Sequence, residues 1–196
     1  MSRIYAVLEK AGIEPVPGAT VAPRGAYLEL IRRLFQTAAA VAIVGTGSGQ
    51  GAAGVCEGIA AELAASGNRV VVVPVDTLLR MNPVPVPGET AYAPGPAQNV
   101  WFWPAPSGAP IEFFKSRVPV GTHNWLDSLR LNFNSILLDC PAPETAPGSA
   151  EIAAMADSAV LAVVAGLTTK RQIRRDQSAL RSGGVKLAGC ILIERR

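Results

Sequence analysis

Val41-Ala-Ile-Val-Gly-Thr-Gly-Ser-Gly-Gln-Gly-Ala-Ala-Gly-Val55 reads, in order, as a short apolar run, a glycine-rich turn and the opening of a helix. Such a run, bounded by glycine, suits a strand buried on both faces, as in a parallel sheet, although taken alone it also fits a buried helix segment. Gly45, Gly47, Gly49 and Gly51 then let backbone N–H groups converge on an anion, and the first turn of the helix adds unpaired donors and its dipole. That is the order of a phosphate cradle. A phosphate-binding loop also carries a lysine and a Ser or Thr after its last glycine, to reach the β/γ-phosphates and to hold Mg²⁺. Ala52 and Ala53 stand there instead. Alanine neither neutralises a phosphoryl group nor ligates a cation, so efficient phosphoryl transfer is not expected. Weak binding of ATP, ADP or phosphate by the backbone remains open, as does a tight turn with no ligand at all.

Working outward, five more runs share the apolar character: Val70 to Val75, Val100 to Trp103, Ile136 to Leu138, Ala159 to Ala165 and Leu187 to Ile193. Helical patterns at residues 52–65, 124–131, 149–156 and 169–182 alternate with them, and another, from Tyr27 to Ala38, precedes the first strand. Alternation of this kind predicts parallel crossovers. The expected fold is a three-layer α/β/α, P-loop NTPase-like domain with a mostly parallel sheet of about six strands, spanning residues 25–196. Residues 1–24 read as a short helix at 3–11 followed by an extended linker around Pro15, Pro17, Gly18 and Pro23. The proline-rich stretch Asn82 to Pro96 reads as an irregular surface loop.

Apolar residues make up 49% of the 196 and charged ones 17%, which provides for one well-filled core. No apolar run is long enough to cross a bilayer, so direct membrane insertion is not expected. The net charge of +3 is concentrated in Arg171, Arg174, Arg175, Arg181, Arg195 and Arg196. It reads as a solvated helix face rather than a nucleic-acid footprint. Cys56, Cys140 and Cys190 are too far apart for a metal-ligand spacing and odd in number for a disulfide framework. They read as buried thiols in a reducing compartment, and with no secretory signal at the N-terminus the expected location is cytoplasmic.

A rival reading lies in the same letters. Gly49-Gln-Gly51-Ala-Ala-Gly54 matches a dinucleotide fingerprint, and Asp76 follows 22 residues after Gly54 at the end of the next strand. Four residues, Gly45 to Ser48, separate the apolar run from its first glycine. That gap favours the phosphate loop over an NAD-type site.

Further motifs carry a family resemblance over nearly the whole chain. Ser2-Arg-Ile-Tyr-Ala-Val-Leu-Glu-Lys-Ala11, Arg69-Val-Val-Val-Val-Pro-Val-Asp76, Asn134-Ser-Ile-Leu-Leu-Asp-Cys-Pro-Ala-Pro143 and Gly189-Cys-Ile-Leu-Ile193 together resemble the bacterial tyrosine autokinase and chain-length-determinant ATPase family of exopolysaccharide and capsule synthesis. The resemblance implies that Asp139 stands where the family's Mg²⁺-linked aspartate stands. It also implies that Asp76 is the survivor of an acidic pair whose first member is Pro74 here. The family's base-contacting asparagine is replaced by Ile193 or Glu194. Its ring-forming Glu-x-x-Arg-x-x-Arg pattern is replaced by Gly25, Leu28 and Ile31, and its C-terminal tyrosine cluster is missing, leaving Tyr5, Tyr27 and Tyr92. A degenerate member is therefore expected, without catalytic residues or a metal. Its vestigial nucleotide site would comprise Gly47, Gly49, Gly51, Ala52, Ala53, Asp76 and Asp139. It would act through a polysaccharide polymerisation or export membrane protein, or through an active ATPase relative, and be peripheral at the inner membrane through that partner.

Other chemistry is thin. His123 is the sole histidine and has no evident partner as a base. Cys140 lacks a placed base and reads as core. Val100-Trp-Phe-Trp103 reads as an edge strand packing its rings inward, with a stacking platform as the alternative.

Overall fold

The computed structural model describes residues 15–16, 27–37, 39–47, 51–81, 92–105 and 125–194. Among them the chain forms β1 (Pro15–Val16), α1 (Leu28–Leu34), β2 (Ala40–Gly45), α2 (Ala52–Ala65), β3 (Val70–Pro74), α3 (Val75–Leu79), β4 (Ala93–Pro94), β5 (Val100–Phe102), α4 (Trp125–Arg130), β6 (Ser135–Cys140), α5 (Ser149–Ala154), β7 (Ser158–Val164), α6 (Lys170–Ser182) and β8 (Leu187–Ile193). The expected helix at 3–11, the rest of the linker, the loop over 82–91 and His123 lie outside the described residues.

The six apolar runs are the six longer strands of an eight-stranded sheet of order β1-β8-β7-β2-β6-β3-β5-β4. Every pairing is parallel except β4 with β5. Two short strands add to the expected count. Pro15–Val16, which the sequence places in a linker, pairs with Cys190 and Ile191 of β8. Ala93–Pro94, within the stretch expected to be irregular, pairs with Trp101 and Phe102. A proline is tolerated there because β4 is the last strand among the described residues, with no ladder on its outer side among them.

Alternation along each central strand divides two cores. Ala40, Ala42 and Val44 of β2, Val71 and Val73 of β3, and Ile136, Leu138 and Cys140 of β6 face one helical layer. That layer supplies Leu78 from α3, Leu126 and Leu129 from α4, Ala150 and Ala153 from α5, and Ile173 and Leu180 from α6. Val41, Ile43, Val72, Leu137 and Val160 face the other, with Leu30 and Leu34 of α1 and Val55, Cys56, Ile59 and Leu63 of α2. Each fully buried aliphatic side chain contributes roughly 1.5–3 kcal/mol, which is why these strands read as continuous apolar runs. The mouth of β2 is fixed by Asp157, whose carboxylate accepts the Ala39 and Ala40 N–H groups at 2.9 Å each. Arg130 holds the same carboxylate at 2.8 and 3.2 Å.

The aromatic run does pack inward, although β5 lies between β3 and β4 rather than at the sheet's edge. Trp103 is fully buried and stacks on Trp125 at 5.6 Å, while Trp101 lies 5.7 Å from Phe133 and under the Arg69 guanidinium. The three cysteines are buried and free, as expected.

Candidate functional site

The site lies at the carboxyl end of the sheet, where open α/β folds bind their ligands. β2 ends at Gly45 beside Ala162 of β7. Thr46 turns inward: its hydroxyl donates to the Ala162 carbonyl at 2.9 Å and lies 3.2 Å from the Thr168 hydroxyl. Thr168 accepts the Val164 N–H at 3.1 Å, so both threonines pin the loop to β7. Gly47 has a φ of +64°, and a Cβ there would sit 2.8 Å from Gln172 Nε2. The positive φ favours glycine, whereas the flexible Gln172 side chain could shift to admit a Cβ. The Gly47 N–H donates to Asp176 Oδ2 of α6 at 3.2 Å. Asp176 is only 1% exposed and its Oδ1 has no hydrogen-bond partner. Burial pushes this carboxyl up, against the lowering effects of the Gly47 N–H and Arg175. A cavity of about 180 Å³ adjoins, lined by Thr46, Gly47, Val164, Leu167, Thr168 and Gln172.

Ser48, Gly49 and Gln50 lie outside the described residues. The chain resumes at Gly51, which caps α2 with a φ of +110° and lies so close to Ile193 that a Cβ would be 2.6 Å from its Cδ1. Ile193, at the position considered for a base contact, thus packs against the loop. Ala52 is buried and Ala53 exposed at the first two helical positions. Among the described residues no side chain caps α2, and its first turn holds no acid, so its leading N–H groups have no side-chain partner from the helix itself.

β6 neighbours β2, and Asp139 is in register with Ile43 on one side and Pro74 on the other. Pro74 is therefore directly opposite Asp139. Asp76 sits in the first turn of α3 rather than at the strand's end, since the chain turns helical at Val75. It is ion-paired with Arg80 at 2.6 Å. Burial, and then the nearby Asp76 and Glu57 carboxylates, push Asp139 up to about 6. The structure thus places Asp139 near Asp76 and Glu57, sets Gly51, Ala52 and Ala53 at the start of α2, and holds Gly47 against α6; Gly49 lies outside the described residues. Cys56 and Cys140 lie beside Asp139, and burial pushes both thiols up, which fits inert core thiols.

Sequence reasoning missed Asp176, Thr168, Gln172 and Glu57. Only the capping box of α6 left a signal: Gln172 Oε1 accepts the Thr169 N–H at 2.9 Å, and Thr169 followed three residues later by Gln172 is a helix-start pattern. Among the described residues no group of acids, cysteines or histidines forms a metal-binding cluster, and no helix is long and apolar enough to cross a membrane. A larger cavity of about 620 Å³, lined by Tyr27, Gly58, Glu62, Gln98 and Asn99, lies at the amino end of the strands, away from the loop. The described tyrosines, Tyr27 and Tyr92, are 4% and 1% exposed.

The dinucleotide reading fails on strand order. In that fold the strand bearing the ribose-binding acid lies beside the strand before the glycine loop, whereas β6 separates β3 and Asp76 from β2 here.

No protein-family model matches the sequence. No curated protein matches it either. Solved structures do. The chimerical protein CapA2B2 aligns over 96% of this chain and 97% of its own, with a TM-score of 0.67 and 14% identity. The kinase domain of the Escherichia coli tyrosine kinase ETK aligns over 97% and 94%, with a TM-score of 0.63 and 14% identity. The BceF tyrosine kinase domain reaches 26% identity over 80% of this chain and 69% of its own, with a TM-score of 0.58. The chain therefore has the P-loop-type α/β/α fold of bacterial tyrosine-kinase domains.

Proposed function

We propose that this chain is a degenerate relative of the exopolysaccharide tyrosine autokinases that works without ATP turnover, as a regulatory or scaffolding partner in polysaccharide synthesis or export. The observation that carries this reading is the pair Ala52 and Ala53 at the start of α2, where a phosphate loop presents its lysine and its Mg²⁺-ligating hydroxyl. The surrounding charge points the same way. Arg80, a cation that could stand in for the missing lysine, is already bonded to Asp76. Burial of Tyr27 and Tyr92 speaks against their use as phosphate acceptors.

The kinase-domain fold and the motif resemblance support an exopolysaccharide context. The partner is then the cytoplasmic face of a membrane-embedded polymerisation or export protein, or a catalytically intact relative. The chain is cytoplasmic and meets that partner at the inner membrane. Any ATP, ADP or phosphate is held weakly, by the α2 N-terminus and the loop backbone. One charge-assisted hydrogen bond is worth about 1.5–3 kcal/mol, so the missing lysine alone weakens binding by roughly tenfold to more than a hundredfold.

Phosphate release from Mg²⁺–ATP tests the proposal, with Asp139→Ala alongside the unaltered chain. Both are expected at background. Mg²⁺-dependent turnover that Asp139→Ala abolishes overturns the reading.

A further inference from the structure

The charge of this protein is not spread over it. Of the chain's 18 basic and 15 acidic residues, α6 holds five and one, leaving 13 basic against 14 acidic elsewhere. Lys170, Arg171, Arg174, Arg175 and Arg181 are all exposed, and at 3.6 residues per turn they fall within an arc of about 140°. Ile173, Asp176, Gln177 and Leu180 are buried against the fold, so the helix's one acid is turned inward to Gly47. Arg175 is bonded to Glu144 of the β6–α5 turn, and Arg181 has a partner as well.

Helix stability does not account for this arrangement. Lys170 and Arg171 sit in the first turn, where the helix dipole favours acids, and that turn contains none. Lys170 with Arg174, and Arg171 with Arg175, are like-charge pairs four residues apart, which destabilise a helix. A purely solvated face is ordinarily built with interspersed acids that relieve such repulsion. Leu167, 47% exposed, stands two residues ahead of the Thr169 cap and adds an apolar side chain near the cationic end.

We propose that the exposed face of α6 is a docking surface for an anionic phospholipid headgroup layer. Clusters of Lys and Arg on one helix face match such a layer, with each cation contributing separately. The inference does not depend on whether the loop binds nucleotide.

Co-sedimentation of the full chain with phosphatidylcholine vesicles, alone and with about 30% phosphatidylserine, tests it. Capture is expected only by the anionic vesicles. It should be lost between about 0.1 M and 1 M salt, as the screening length falls from about 10 to 3 Å. Lys170→Gln, Arg171→Gln and Arg174→Gln together should weaken it roughly a hundredfold, about fivefold per cation, with no loss of melting temperature. Arg32→Gln with Arg33→Gln, on α1 in the opposite helical layer, should leave it unchanged. The proposal is overturned by no capture on anionic vesicles, by equal capture on neutral ones, by equal weakening in the α1 variant, or by tighter retention on duplex DNA at matched phosphate.

Discussion

Asp139 shows how a single side chain ties the site to stability. Its folded-state pKa is raised, to about 6, by burial first and by Asp76 and Glu57 second. Below about pH 4 the carboxyl is protonated whether the chain is folded or not. As pH rises from there through about 6, the unfolded chain releases a proton that the folded chain retains, and stability falls; above that the full penalty applies. Asp139→Asn is therefore expected to raise stability at pH 7–8 by up to about 3 kcal/mol, a gain that vanishes near pH 4; thermal melts across that range check it. The alanines argue in the opposite direction, toward binding. Ala52→Lys with Ala53→Ser should tighten ADP by at least about tenfold in calorimetric titration, because a helix N-terminus already presents unpaired backbone donors there. Asp139 and the two alanines were legible in the sequence from their places in motifs. Asp176 was not, since Arg174-Arg175-Asp176 reads as a charged solvent face, and its contact with Gly47 spans 129 positions along the chain.

Elements were easiest to read where burial is two-sided. The runs that became β2, β3, β6, β7 and β8 are apolar at nearly every position, and α2 begins and ends at the expected residues, Ala52 and Ala65. The short strands were illegible for the opposite reason, as two-residue pairings at Pro15–Val16 and Ala93–Pro94 leave no periodic pattern. Two element-level substitutions test the loop's framing. Thr169→Ala removes the reciprocal cap of α6 and should cost about 1 kcal/mol in denaturant unfolding. Gly51→Ala forces a Cβ to within 2.6 Å of Ile193 at a φ of +110°, and should cost at least about 1–3 kcal/mol. Ile193→Ala in the same chain is expected to recover the steric part and leave the backbone strain.

At the scale of the whole molecule, strand order did what the letters of the loop could not. Gly49, Gly51 and Gly54 with Asp76 satisfy a dinucleotide spacing in one dimension, and only the placement of β6 between β2 and β3 removes it. The sheet's far-flung parts are also tied by Asp157, whose carboxylate joins β2 to α4. Burial raises its pKa, but Arg130 and the Ala40 and Ala39 N–H groups outweigh that and hold it below the ordinary range. Its stabilising contribution is complete above about pH 4 and is lost as pH falls through the lowered value. Asp157→Ala should cost at least about 2 kcal/mol at pH 7, with a smaller difference from the unaltered chain in acid; urea titrations at both pH values check this.

The pairing of Ala40 with Ile136 and of Val41 with Ser158 has a consequence for biosynthesis. β2 leaves the ribosome long before either of its neighbours exists, and at roughly 5–20 residues per second its bare ladder waits on the order of 5–20 s for the next to be made. Through that interval an apolar segment with every backbone donor and acceptor unanswered is open to adhesion with other nascent chains, so recovery of native protein should depend steeply on translation rate and holdase supply.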